Sequence, residues 1–340
     1  MLLNSWAIAL LLTGAAALFL LGGALRTALK VLASWAPEKD TAAQISLENE
    51  TWLASLLVRY GMALQLASLL LLLLAADGFS HVLVGAMCAT GAFVANDYGM
   101  PALLVKLFGL FFYGFWLVLD GLDNRSEFLP LTRLKFTYLL LLGPLLLADI
   151  TLLLLYLINL TPDIITSCCG VVFANGDAND GNLLGPLPTA SILPLYGALI
   201  ALLFGLALYL QKRNKTAKAG GTWLELLFAL ACMIFFIFSL IVITVIVSPY
   251  IYAMPSHRCP FDILRREYNG IGYPLYLSLI LATFSGMSCG LVSLLHNRPG
   301  LGVAVQSFRR TGFRFFFLSL MVFLPMLAYH PLIYLLKGGE

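Results

Sequence analysis

"FTYLLLLGPLLLADITLLLLYLINL" runs from Phe136 to Leu160, and its 25 residues carry one charged side chain, Asp149. About 20 apolar residues in a helix, at roughly 1.5 Å each, cross the hydrocarbon core of a bilayer. The run therefore reads as a membrane span, and a carboxylate inside a span calls for a partner or a function.

Runs of the same kind lie on both sides of it. Their limits are Trp6–Leu32, Trp52–Ala76, Phe79–Ala95, Pro101–Leu119, Ala190–Leu210, Leu224–Ser248, Pro274–Leu295 and Phe315–Leu336. With Phe136–Leu160 they make nine candidate spans, within a range of eight to ten. The whole chain agrees: 61% of its 340 residues are hydrophobic, 11% are charged, and the mean hydropathy is +0.93. Soluble domains carry about 25% charged residues. The expected fold is an all-α, polytopic integral membrane protein, residues 1–340 forming a single transmembrane helical domain. The segment before Trp6 lacks the basic region of a secretory signal, so the first run is read as a span. The weakest run is the third. "HVLVGAMCATGAFVAN", from His81 to Asn96, is short and rich in small residues. If it does not cross, the count is eight and the first helix runs the other way.

Basic residues orient the chain, because short cytoplasmic loops are enriched in Lys and Arg. "DNRSEFLPLTRLK" (Asp123–Lys135), "QKRNKTAK" (Gln211–Lys218) and "HNRPGLGVAVQSFRRTGFR" (His296–Arg314) hold the basic clusters, each two spans from the next. All three can then face the cytoplasm. Loops 161–189 and 249–273 face outward and form a small extracytoplasmic cap. Arg26 and Lys30 sit at the outer end of the first helix in the nine-span arrangement and at the cytoplasmic end in the eight-span one. The setting expected is a bacterial inner membrane, with the lipid bilayer as the main partner. No basic face suits nucleic acid, and no phosphate-binding loop is present.

The outward loops carry "TSCCG" (Thr166–Gly170) and "SHRCP" (Ser256–Pro260). Cys88 lies about 12 Å below the outer surface by helical rise, so Cys88, Cys168, Cys169 and Cys259 can share one outer site. Cys232 and Cys289 lie inside spans, as small packing residues do. Three chemistries suit the outer set. The first is thiol–disulfide exchange by Cys168, Cys169 and Cys259, with Cys88 as relay and His257 and nearby arginines favouring the thiolate. Electrons would pass to or from a quinone, and the partner would be an extracytoplasmic thiol protein. The second is a soft metal ion held by Cys168, Cys169, Cys259 and His257. The third is a structural disulfide in a non-catalytic subunit of a larger membrane complex.

Inside the spans, Arg59, Lys106 and Asp149 lie about 8–17 Å below the outer surface on the nine-span count. They are read as a polar pocket beneath the cysteines, joined by Tyr60, with Gln65 and Tyr98 as further hydrogen-bonding groups. A Lys106–Asp149 or Arg59–Asp149 pair would neutralise the buried charge. The pocket would take a quinone head group or pass protons or ions. Glu225 is placed at the membrane interface. The Cys-Pro-Phe at 259–261 resembles that of quinone-linked membrane thiol oxidoreductases. Asp262 stands where their second cysteine would be, and the span count exceeds theirs, so membership is not assigned.

Overall fold

The computed structural model describes residues 2–36, 41–126, 129–163, 172–173, 189–215, 223–254 and 257–337. Among these there is no strand. The helices are α1 (Ser5–Ser34), α2 (Ala42–Ser80), α3 (Ala89–Phe93), α4 (Gly99–Asp123), α5 (Thr132–Ile158), α6 (Thr189–Lys215), α7 (Trp223–Val242), α8 (Ser248–Tyr252), α9 (Gly272–Val292) and α10 (Gly302–Leu336). A π-helical stretch, Ile243–Val247, joins α7 to α8 in one continuous span. Eight of the described helices are long and apolar enough to cross a membrane. The protein is an all-helical, multi-pass membrane protein.

The third run does not cross. α2 continues to Ser80, a turn with Gly85 at φ 81 interrupts the helix, and only the five residues of α3 follow. All five are buried. Tyr156 of α5 donates to the Ala92 carbonyl at 3.0 Å and stacks on Phe93, and Asn96 donates back to the Tyr156 carbonyl at 3.1 Å. Small residues let the segment fold in beside α5, and backbone polar groups away from a regular helix survive at membrane depth only when protein covers them.

The sequence reads as one membrane domain; its contacts gather into two compact units, Met1–Thr166 with Pro299–Leu301, and Ser167–Arg298 with Gly302–Glu340.

In the first unit, α1 buries Ala7, Leu10, Gly14, Ala17, Leu21, Ala24, Ala28 and Val31. These positions alternate by three and four, the spacing of a left-handed seam. α2 buries Leu47, Thr51, Ala54, Val58, Gly61, Gln65, Ser68, Leu72, Ala75 and Phe79 in the same alternation. About half of these residues are Gly, Ala, Ser or Thr, because lipid supplies no hydrophobic drive and helices gain by close approach. Gly61 lies under the Leu21 side chain and Gly78 under the Trp6 indole, and a Cβ at either would meet them within 3 Å. Trp116, Tyr113, Phe136, Leu139 and Leu142 continue the core onto α4 and α5.

In the second unit, α9 presents Gly286 and Gly290, four apart, to α7. A Cβ at Gly290 would fall 2.5 Å from the Glu225 carbonyl oxygen, and one at Gly286 would fall 2.5 Å from the Cys232 sulfur. Cys289 packs its sulfur against Gly312 of α10. Both in-span cysteines therefore fill small gaps between helices, as the sequence suggests. Glu225, expected at the membrane interface, is covered by the neighbouring helices. It is fully buried and accepts from Arg309 at 2.6 Å, with Arg213 3.9 Å away. Pro249 at the start of α8 has no N–H to give the preceding turn. The π-helical stretch accommodates it, and Ser248 and Thr244 donate their hydroxyls to the carbonyls of Thr244 and Leu240, each at 2.8 Å.

Candidate functional site

The first site is built in the second unit, between the end of α8 and the start of α9. α8 closes with Ala253 in the left-handed conformation, which turns the chain back over the helix end. Tyr252 donates its hydroxyl to the Cys259 carbonyl, and Tyr276 of α9 donates to the Pro260 carbonyl at 2.6 Å. Arg258 donates to the Phe173 carbonyl at 3.4 Å. Gly272 lets α9 begin directly against the Ile263 backbone; a Cβ there would lie 2.9 Å from the Ile263 carbonyl carbon. These contacts hold Cys259 at a fixed place on what the sequence reads as a loose polar loop.

Cys259 has no exposed surface. Its sulfur lies within 4.8 Å of a carboxylate oxygen of Asp262, which the one-turn 3₁₀ helix Asp262–Leu264 carries back toward it. The other side of the carboxylate is occupied. His257 Nε2 lies 2.8 Å from Asp262 Oδ2, and Arg265 Nε lies 3.4 Å from Oδ1. The imidazole is held edge-on to the Tyr252 ring at 4.6 Å between centroids. His257, expected to favour the thiolate, hydrogen-bonds the carboxylate that lies beside the thiol. Burial, then the Asp262 and Glu267 carboxylates, raise the Tyr268 hydroxyl above its ordinary pKa, against Arg265. Cys168 and Cys169 lie outside the described residues. Cys88, in the first unit, is buried at the N-terminal end of α3.

The second candidate lies in the first unit. Lys106 of α4 and Asp149 of α5 form the expected ion pair, Nζ to Oδ2 at 3.0 Å, with 3% and 0% of their side chains exposed. Lys106 also donates to Ser68 Oγ of α2 at 2.9 Å, and Ser68 reaches Gln65 Oε1 at 3.1 Å. Arg59 is not part of this group. It donates through Nε and Nη2 to Asp120 Oδ2 at 2.9 and 2.6 Å. Asp120 Oδ1 and Asp123 Oδ2 both bind Lys135, at 3.0 and 2.9 Å. Arg59 is nine residues from Ser68 on α2, about 14 Å along the axis. Because the third run does not cross, α2 runs opposite to the nine-span count, and Arg59 is to be measured from the other end of the helix. Tyr60 is 61% exposed, on the outside of the helix group. The four residues read as one quinone pocket thus belong to two separate charge layers and an outer face.

α4 and α5 carry mirrored charges: Lys106 and Asp120 on one, Lys135 and Asp149 on the other, each pair 14 residues apart. Fourteen residues are about four helical turns, so both charges of each helix share a face, and antiparallel packing sets each lysine against an aspartate. Asp120, Asp123 and Lys135 escape a sequence reading because they sit at the ends of their apolar runs, where charge is expected. Asp262 was visible only as the residue replacing a cysteine.

Comparison with protein-family models, with curated proteins and with solved structures found no match to this chain. Its function has to be argued from these two sites.

Proposed function

We propose that this multi-pass membrane protein binds a thiophilic divalent cation at the Cys259–Asp262 turn, on the extracytoplasmic side of a bacterial inner membrane. The observation that supports it is the sulfur of Cys259 within 4.8 Å of the Asp262 carboxylate. A thiolate and a carboxylate at that spacing would repel one another, and a cation between them would remove the repulsion. A thiolate with a carboxylate suits a borderline ion of the Zn²⁺ kind better than Cu(I), which favours sulfur alone. His257, 2.8 Å from the same carboxylate, takes the place of the outer hydrogen-bonding partner that orients a metal ligand. Cys168 and Cys169 are the ligands proposed to complete the site.

Thiol–disulfide exchange, the chemistry that the sequence favours, needs a partner thiol to reach the sulfur along its attack direction. Cys259 is enclosed on all sides and its neighbour is an anion. Holding an ion is better supported than exchanging a bond.

The test is titration of purified protein with Co²⁺ as a spectroscopic stand-in for zinc. Wild type should develop a thiolate-to-cobalt charge-transfer band that is absent from Cys259→Ser and weakened in Asp262→Asn. His257→Ala should retain the band with roughly 10- to 100-fold weaker binding. Wild-type protein that gives no such band removes the proposal. A band unchanged in Cys259→Ser assigns the metal to other thiols and does the same.

A further inference from the structure

The two charge layers on α4 and α5 serve as internal controls for each other. In the Asp120–Asp123–Lys135 layer every carboxylate oxygen is used. Asp120 Oδ2 takes Arg59 and Asn124, Asp120 Oδ1 takes Lys135, Asp123 Oδ1 takes the Leu131 N–H at 2.7 Å, and Asp123 Oδ2 takes Thr132 and Lys135. In the Lys106–Asp149 layer three polar atoms are buried without a hydrogen-bond partner among the described residues: Asp149 Oδ1, Gln65 Nε2 and the Tyr113 hydroxyl. Their residues are 0%, 4% and 2% exposed. An unmatched buried polar group costs about 1–3 kcal/mol. The same two helices therefore saturate one layer and leave the other open. A purely structural pair gains nothing from that, since an apolar pair of similar volume is commonly as stable or more so.

We infer that the Lys106–Asp149 layer is a proton-transfer site, with Asp149 Oδ1 as the acceptor and the unmatched Gln65 amide and Tyr113 hydroxyl as the other polar groups buried in its layer. The pair carries no net charge, so it has no pull on an anion, and the Lys106 ammonium repels a metal cation; a proton is the remaining charged ligand. In the step, a hydronium ion gives its proton to Asp149 Oδ1 and leaves water. No electrons move. Lys106 stays an ammonium on Ser68 Oγ and Asp149 Oδ2, now uncompensated, and this raised energy drives the return of the proton to water. The groups facing Asp149 are Lys106, in direct contact, and Tyr113, within reach of its charge, both from α4; from α2, Ser68 binds Lys106 and Gln65 binds Ser68. The basic residues of α1, Arg26 and Lys30, lie at its far end, where Lys30 pairs with Glu50.

The experiment is pH-jump infrared difference spectroscopy on the full-length protein in lipid vesicles, paired with decay of an imposed pH gradient. Wild type should show a protonated-carboxyl band that disappears in Asp149→Asn, together with a proton flux. Tyr113→Phe, which removes one unmatched hydroxyl and so should fold at least as well, should shift the band and slow the flux. Lys106→Met/Asp149→Leu, which replaces the pair by apolar side chains, should unfold at the wild-type temperature and carry no flux. A wild-type difference spectrum without that band, or one that survives Asp149→Asn, overturns the inference. So does a wild-type rate of gradient decay in the apolar double variant.

Discussion

Asp149 and Asp123 are both fully buried carboxylates, yet their surroundings make different demands. Asp123 holds the Leu131 N–H, the Thr132 hydroxyl and Lys135 together, and so fixes the turn between α4 and α5. Asp123→Ala strips one anion from a buried group and leaves the turn's N–H unmatched. It should cost about 3 kcal/mol of unfolding free energy, read from denaturant titration in detergent micelles, while leaving cobalt binding intact. Arg59, Lys106 and Asp149 were legible in the sequence because each interrupts an apolar run. Their pairing was only half legible. Lys106–Asp149 followed from charge and depth, but the depth of Arg59 depended on which way α2 runs, and that on a segment whose composition does not decide whether it crosses. Cys259 was legible as a residue of interest. Its enclosure was not, because the tyrosines that lock its loop come from α8 and α9, seven and seventeen positions away.

Among the helices, α9 depends most on the absence of side chains. Gly290 meets the backbone of α7 at the Glu225 carbonyl, and a backbone cannot rotate aside as a side chain can. Gly290→Leu should separate α7 from α9 and expose the Glu225–Arg309 pair, costing more than the 1–3 kcal/mol usual for overpacking; loss of a monodisperse peak on size exclusion would report it. Gly143 of α5 has open space where a Cβ would go, so Gly143→Ala should be neutral or slightly stabilising. The spans themselves were readable from apolar length. Their ends were less so: α2 and α10 continue well past the apolar runs into sequence that reads as loop, because amphipathic turns stay helical wherever one face has something to pack on. The three-and-four alternation on α1 and α2 is present in the sequence too, concealed because the opposite, lipid-facing side is equally apolar.

At the scale of the molecule, an eight-span count changes the expectation drawn from charge. If the basic loops are cytoplasmic, as their Lys and Arg lead one to expect, Arg26 and Lys30 would stand at the cytoplasmic end of α1, without the charge discord of a nine-span reading. The prediction is that a cysteine introduced at Asn269, on a background lacking the native outer thiols, reacts with a membrane-impermeant maleimide in intact cells. One at Gly300 should react only after the membrane is opened. The reverse pattern would turn the protein over and place the proposed cation site in the cytoplasm.

The π-helical stretch before Pro249 adds one residue to what an uninterrupted α-helix would need, which turns everything after it by about 100° around the axis. Tyr252 sits on the far side of that offset. Deleting a single residue within 243–247 would restore ordinary winding, swing the phenol off the Cys259 carbonyl, and release the turn that carries the thiol. One codon lost from a stretch of isoleucine, valine and a single threonine would thus do to this protein what a substitution at the cysteine does.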